Sequence, residues 1–282
     1  MTDRILLKSP DGAQAEIALH GAHVLSWVPA GAPEQLYLSP RSEFAPGKAI
    51  RGGVPVCFPQ FAERGPLPKH GFARNQAWRL VSQDVSRDDA MAVLALDGAT
   101  ADVGAWARHF ELELTVRLAG QVLDLELACT NTGEAPLSFT AALHTYLRVA
   151  DLNATSLAGL SGLRYWDSIA QRDERQRVEL LLPGESGVVD LDRIYFQAKE
   201  PLLLSEHRLN GRVRRVLITS QGFDDAVVWN PGPERCAKLA DMPADGWRHM
   251  LCVEAASVGI PVELPAGETW VGRQSLSLES AG

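Results

Sequence analysis

Long apolar runs are missing from this chain: nothing in it approaches the roughly 18 consecutive apolar residues of a membrane span. Asp11 and Glu16 interrupt the first thirty residues, where a secretory leader needs an uninterrupted apolar centre. A cytoplasmic protein without a membrane partner is expected. Basic residues are in the minority, 27 Lys and Arg against 35 Asp and Glu for a formal net charge of −8. A general nucleic-acid binder needs a broad basic face, so that class is disfavoured. Cysteine is scarce. Cys57, Cys129, Cys236 and Cys252 are widely spaced with no Cys-x-x-Cys pair, so neither a zinc site nor a disulfide framework is suggested. Buried, chemically idle thiols are the expectation.

Common catalytic signatures are absent too. The chain has no Gly-x-Gly-x-x-Gly, Walker loop, Gly-x-Ser-x-Gly, His-Glu-x-x-His or His-x-His, which removes most of the case for dinucleotide, nucleotide, serine-hydrolase and cupin chemistry. No long segment carries a helical apolar stripe. What is present is a 46% hydrophobic composition, enough for a sizeable core, with 24 Gly and 17 Pro that imply many turns. The apolar positions recur at every second residue, the period of half-buried strands.

Phe110, Leu112, Leu114, Val116 and Leu118 alternate with Glu111, Glu113, Thr115 and Arg117. After Ala119-Gly120, Leu123, Leu125 and Leu127 alternate with Asp124, Glu126 and Ala128, a hairpin pattern with an Asn131-Thr132-Gly133 turn at its far end. A third run puts Leu137, Phe139, Ala141, Leu143, Leu147 and Val149 on one face and Ser138, Thr140, His144, Tyr146 and Arg148 on the other. Further strands are expected at 16–28, 91–96, 212–220, 226–229, 250–254 and 269–278. Strands at short spacing without βαβ alternation predict an all-β fold, a large antiparallel sandwich. No repeat or linker divides the chain, so one domain over 1–282 is expected. The charge-dense stretch 171–177 reads as a solvated loop.

The densest polar constellation is Ile50-Arg51-Gly52-Gly53-Val54-Pro55-Val56-Cys57-Phe58-Pro59-Gln60-Phe61, followed by Leu67-Pro68-Lys69-His70-Gly71-Phe72-Ala73-Arg74-Asn75. Its prolines and aromatics fix an irregular backbone that can gather Arg51, Lys69, His70 and Arg74. Guanidinium forks suit phosphate or carboxylate oxygens, so a local cationic pocket in an acidic protein points to a small anionic ligand. Each arginine could equally pair with an internal carboxylate. His144 lies on the polar face of its strand, where either a ligand contact or an ordinary hydrogen bond would place it. Glu254 stands in the nearly uncharged run 249–258, where a carboxylate must be paired, carry a raised pKa, or both. A raised carboxylate pKa is what a general base working near neutrality requires.

Arg51-Gly52-Gly53-Val54-Pro55-Val56-Cys57-Phe58-Pro59, His70-Gly71-Phe72-Ala73-Arg74-Asn75, Leu143-His144-Thr145-Tyr146, Asp192-Arg193-Ile194-Tyr195, Val228-Trp229-Asn230-Pro231 and Cys252-Val253-Glu254-Ala255 run in order along the chain. Together they resemble the hexose-6-phosphate mutarotases, the glucose-6-phosphate 1-epimerases of the aldose 1-epimerase superfamily. His20-Gly21-Ala22-His23-Val24-Leu25-Ser26-Trp27 resembles the family as well. The resemblance implies a galactose-mutarotase-like sandwich that needs no metal or organic cofactor and interconverts the α and β anomers of a sugar phosphate. His144 then corresponds to the general acid and Glu254 to the general base. Arg51 and Arg74 correspond to the anion-binding arginines and Asp192 to a sugar-hydroxyl contact. Lys69 stands where family members usually carry Gln, and a lysine there would add a phosphate contact or shift the sugar preference. Lys69 and His70 are counted with the substrate-binding residues, and a monomer is expected.

The chemistry fits these residue types. Mutarotation removes the proton of the C1 hydroxyl and delivers one to the ring oxygen; rotation about C1–C2 then presents the other carbonyl face for closure. An ionised Glu254 and a protonated His144 are the expected starting states, each transfer contributing about 10²- to 10⁴-fold. Two other readings remain open at this level. A non-catalytic carbohydrate-binding or sensing sandwich would use Trp27, Trp78, Trp166 and Trp229 for sugar stacking. An aldose 1-epimerase for neutral sugars would hold Arg51 and Arg74 in salt bridges.

Overall fold

The alternating run from Phe110 folds as its period predicts. Strand Phe110–Ala119 buries every second residue and pairs antiparallel with Val122–Asn131 across a turn at Gly120 and Gln121. At the far end the Asn131 side chain accepts from the Gly133 N–H at 3.0 Å, which makes the expected turn. The computed structural model describes residues 3–98, 101, 106–182, 190–207 and 211–279. Among them the longest helix is Gly232–Cys236, five residues, and no helix is long and apolar enough to cross a membrane.

The strands form three antiparallel sheets. Nine strands run in the order 180–181, 155–158, 202–207, 213–221, 269–279, 122–131, 110–119, 90–97, 79–85. Eight strands form a second sheet, in the order 172–175, 164–167, 191–195, 225–230, 250–264, 137–143, 56–57, with 146–148 also paired to 250–264. A smaller sheet joins 4–8, 14–18 and 23–28. Leu112, Leu114, Leu251, Val253, Leu7 and Ile17, drawn from all three sheets, meet in one buried apolar cluster. A polar tie crosses it: Thr145 Oγ1 donates to Gln274 Oε1 at 2.5 Å, and Gln274 Nε2 donates to the Val253 carbonyl at 3.1 Å. Every buried polar atom in such a place needs a partner.

Three expectations are corrected. The segment 16–28 is not one strand but the hairpin Gln14–Ala18 and His23–Val28, because Gly21 (φ 75°) and Ala22 (φ 47°) turn the backbone left-handed between them. The run 137–149 breaks at His144 and Thr145: the His144 N–H leaves the ladder for the Pro55 carbonyl at 3.0 Å, and pairing resumes at Tyr146. The charged stretch 171–177 holds the edge strand Arg172–Arg175 rather than a loop. Its side chains pair along and across the edge, Arg172 with Glu174 and Asp173 with Arg164, and charges of this kind keep an open sheet edge from recruiting another chain.

Candidate active site

Strand Met250–Leu264 shows how the sequence builds the site floor. Leu251, Val253 and Ala255 enter the main core, so the period of two turns Cys252 and Glu254 onto the opposite face of the sheet. Register then sets their neighbours. Cys252 lies opposite Trp229 on one side and Tyr146 on the other, Trp229 opposite Asp192, and Glu254 opposite Val227. A row Asp192, Trp229, Cys252, Tyr146 therefore crosses the sheet. Two smaller apolar clusters on this face, one around Phe61 and Val227 and the other around Tyr37 and Met250, hold the loops that wall it.

Above the floor lies a cleft of about 330 Å³, the size that holds a small metabolite. Its lining includes His144, Glu254, Arg51, Lys69, His70, Arg74 and Asp192, so the tertiary fold gathers in one place the residues that the family resemblance and the polar loop pointed to. The loop carrying four of them is fixed by close backbone contacts. His70 (φ 64°) and Gly71 (φ 69°) are both left-handed, and a Cβ on Gly71 would stand 2.1 Å from the Phe58 carbonyl oxygen. That approach is possible only for glycine. The Phe72 N–H then donates to the Phe58 carbonyl at 3.0 Å, and Arg74 follows in a single 3₁₀ turn.

His144 Nδ1 and Glu254 Oε1 lie 3.4 Å apart with side chains 8% and 1% exposed. This is ion-pair distance, yet neither His144 Nδ1 nor either oxygen of Glu254 has a hydrogen-bond partner. Burial raises the Glu254 pKa well above the ordinary carboxylate value, with Asp192 pushing the same way and Arg74 opposing. The sequence-based expectation for Glu254 agrees with this direction. For His144 the protonated starting state expected from the sequence is not what its surroundings favour. Burial, then His70, Arg74 and Arg51, hold its pKa well below that of a free imidazole. With Glu254 shifted up and His144 shifted down, burial favours the pair's proton on Glu254 over His144.

His70 is neutral as well, its pKa lowered to about 2 by burial and by Arg74, Lys69 and Arg51. Its Nδ1 accepts from the Ala62 N–H at 3.3 Å and touches Cys57 Sγ at 3.2 Å, which assigns the ring hydrogen to Nε2. Its ring stands edge-on to that of His144, centroids 5.3 Å apart. Tyr146 stacks on the other side of His144 at 4.9 Å and 12°.

The four cations around the cleft fall into two kinds. Arg51 is engaged: Nε and Nη2 both reach Asp241 Oδ2 at 3.1 Å, and Nη1 donates to the Tyr146 hydroxyl at 3.1 Å. Arg235 is engaged with Asp190 through Nε at 2.9 Å and with Asp192 at 3.6 Å. Lys69 and Arg74 have no carboxylate partner among the described residues; Arg74 donates to the Lys69 carbonyl at 2.8 Å, and its Nε is buried without a partner. Asp192 has its pKa raised by burial, against the pull of Arg235.

Tyr146, Asp241 and Arg235 were not singled out from the sequence. Tyr146 follows His144 by two residues, so the strand period already points to it; Asp241 and Arg235 come from a loop and a one-turn helix with no local signal. Of the four tryptophans weighed for sugar stacking, Trp27 and Trp78 are sealed in the main core at 0% and 2% exposure, Trp166 packs beside the Phe61 cluster, and Trp229 lines the cleft. All four cysteines are buried and free.

Comparison with known proteins gives a consistent result. Residues 3–277 match the model of a family described as Aldose 1-epimerase. A protein of Cenchrus ciliaris, provisionally named a glucose-6-phosphate 1-epimerase, is 34% identical over 284 residues, 98% of this chain and 84% of that one. One of Escherichia coli with the same provisional name is 37% identical over 258 residues, 90% of this chain and 83% of that one. The crystal structure of YeaD from Salmonella typhimurium, provisionally named a mutarotase, superposes with a TM-score of 0.88 at 29% identity, covering 99% of this chain and 91% of that one.

Proposed function

The chain belongs to the aldose 1-epimerase family, and we propose that it interconverts the α and β anomers of a hexose 6-phosphate, glucose 6-phosphate first among them. The observation that carries this reading is the conjunction, in one cleft, of an unsatisfied buried His144–Glu254 pair with two cations, Lys69 and Arg74, that no carboxylate neutralises. A neutral sugar would leave Lys69 and Arg74 without an anion. A phosphate dianion supplies it through charge-assisted hydrogen bonds.

Ring opening moves one proton off the C1 hydroxyl and one onto the ring oxygen, and closure reverses both. Glu254 takes the first and His144 gives the second. This demands carboxylate and imidazolium together, whereas burial favours carboxylic acid and neutral imidazole. The two arrangements contain the same number of protons. Transfer across the 3.4 Å gap converts one into the other without exchange with solvent. His70, with its hydrogen on Nε2, is a donor for a sugar oxygen, and Asp192, beside Trp229 in the sheet, is an acceptor for a sugar hydroxyl. Arg51 acts on the site through Tyr146, holding its hydroxyl and with it the ring stacked on His144.

Anomer exchange followed by NMR, on glucose 6-phosphate and on glucose, tests the reading. Fast exchange on the phosphate and slow exchange on the free sugar is the expected result. Equal rates would favour a neutral-sugar epimerase, and no exchange on either would favour a binding or sensing role.

A further inference from the structure

Cys252 is two residues before Glu254 on the same face of strand Met250–Leu264, and the proton transfers proposed above do not use it. One ligand atom from each of His144, Cys252 and Glu254 lies within 4.8 Å of the other two, and all three residues are buried. His144 Nδ1 and both carboxylate oxygens lack hydrogen-bond partners, so three of the donor atoms at this spot are unsatisfied. We propose that His144, Cys252 and Glu254 form a binding site for a soft divalent cation of the zinc type, and that the bound cation blocks the acid/base pair. The inhibitory part rests on the catalytic reading of that pair; the binding part does not.

The donor set selects the ion. One imidazole nitrogen, one thiolate sulfur and one carboxylate oxygen, with a fourth position open to the cleft, is a zinc-like arrangement. Magnesium and calcium prefer shells of oxygen ligands, which this cluster does not offer. Charge balance also allows it. Bonds form from the metal to Sγ, to the imidazole nitrogen and to a carboxylate oxygen. The thiol and the carboxylic acid each release one proton to water, so one dication replaces two protons and the buried cluster gains no net charge. Arg51 and Arg235 oppose a cation little, because Asp241 neutralises one, and Asp190 with Asp192 the other. Arg74 and Lys69 remain as the opposing charges of the cleft, and the release of two protons on binding keeps that repulsion from growing. The cation is therefore an inhibitor that competes with sugar for the same groups, not a cofactor.

The test uses the whole chain, freed of metal by chelation and titrated with Co²⁺ and then Zn²⁺. Co²⁺ is expected to give a sulfur-to-cobalt charge-transfer absorption in the near ultraviolet, removed by Zn²⁺ and unaffected by excess Mg²⁺. Cys252→Ser and Cys252→Ala should each abolish that band and weaken Zn²⁺ by at least about tenfold, since loss of even an outer-shell partner commonly costs that much. Cys57→Ser should keep it. Zn²⁺ should slow wild-type anomerisation of glucose 6-phosphate in step with occupancy, while each Cys252 variant, measured against its own metal-free rate, should resist the same Zn²⁺ concentration. A wild-type protein with no charge-transfer band, or a band that survives Cys252→Ala, overturns the site. Zinc bound through Cys252 with anomerisation undiminished would leave the site standing and instead remove His144 and Glu254 from the chemistry.

Discussion

His144 Nδ1 and Glu254 Oε1 face each other across 3.4 Å, buried and with neither satisfied by a hydrogen bond. An unpaired buried polar group costs about 1–3 kcal/mol, so the fold tolerates here what it avoids elsewhere. Sites that hold titratable groups in this condition are where chemistry is done.

Glu254→Gln preserves shape and removes the base. Anomerisation should fall by at least about a hundredfold with folding retained, the lower end of what a positioned proton acceptor contributes. Near-normal exchange by NMR in the folded variant would take Glu254 out of the mechanism.

The pH profile in chelator-containing buffer should be a bell whose limbs are exchanged relative to the simple carboxylate-and-imidazolium scheme. Activity needs the pair with one proton. A second proton must go onto His144, whose pKa is lowered, so the acid limb falls below the usual histidine range. The last proton must leave Glu254, whose pKa is raised, so the alkaline limb lies above the usual carboxylate range. His144→Asn should lose the acid limb with most of the rate. A folded His144→Asn enzyme that keeps the rate points to another donor, with His70 the next candidate.

The two kinds of cation should separate by substrate. Arg74→Ala should weaken use of glucose 6-phosphate by about 1.5–3 kcal/mol, the worth of a hydrogen bond to a charged group, and leave free glucose nearly unchanged. Lys69→Ala should act in the same direction. Arg51→Ala frees Tyr146 and Asp241 and should impair both substrates. Rates on the two sugars for each variant decide it, and an Arg74→Ala enzyme equally slow on both would make Arg74 structural.

Thr145→Val removes the hydroxyl that donates to Gln274 and strands the Gln274 oxygen in the core. A loss of about 1–3 kcal/mol in unfolding free energy is expected. Because Thr145 adjoins His144 at the break in its strand, the rate should drop too. Denaturant unfolding and anomer exchange on the same preparation measure both.

Local period and composition were enough for much of this protein. They predict the antiparallel all-β class and the Phe110–Asn131 hairpin. A buried carboxylate at Glu254 was legible because its neighbours are apolar. Ordered motifs carried the family resemblance and with it the choice of His144 and Glu254. Tertiary structure decided the rest, through contacts between residues far apart in the chain. Pairing of Leu143 with Ala255 is what brings His144 to Glu254. The direction of the His144 shift followed from how completely that contact excludes water, which no strand pattern states. Which arginine is committed and which is open to an anion depended on Asp241, 190 residues from Arg51, reaching one guanidinium and no carboxylate among the described residues reaching Arg74. Side-chain alternation is a property of one strand, whereas the partner of a charge is a property of the space it is folded into.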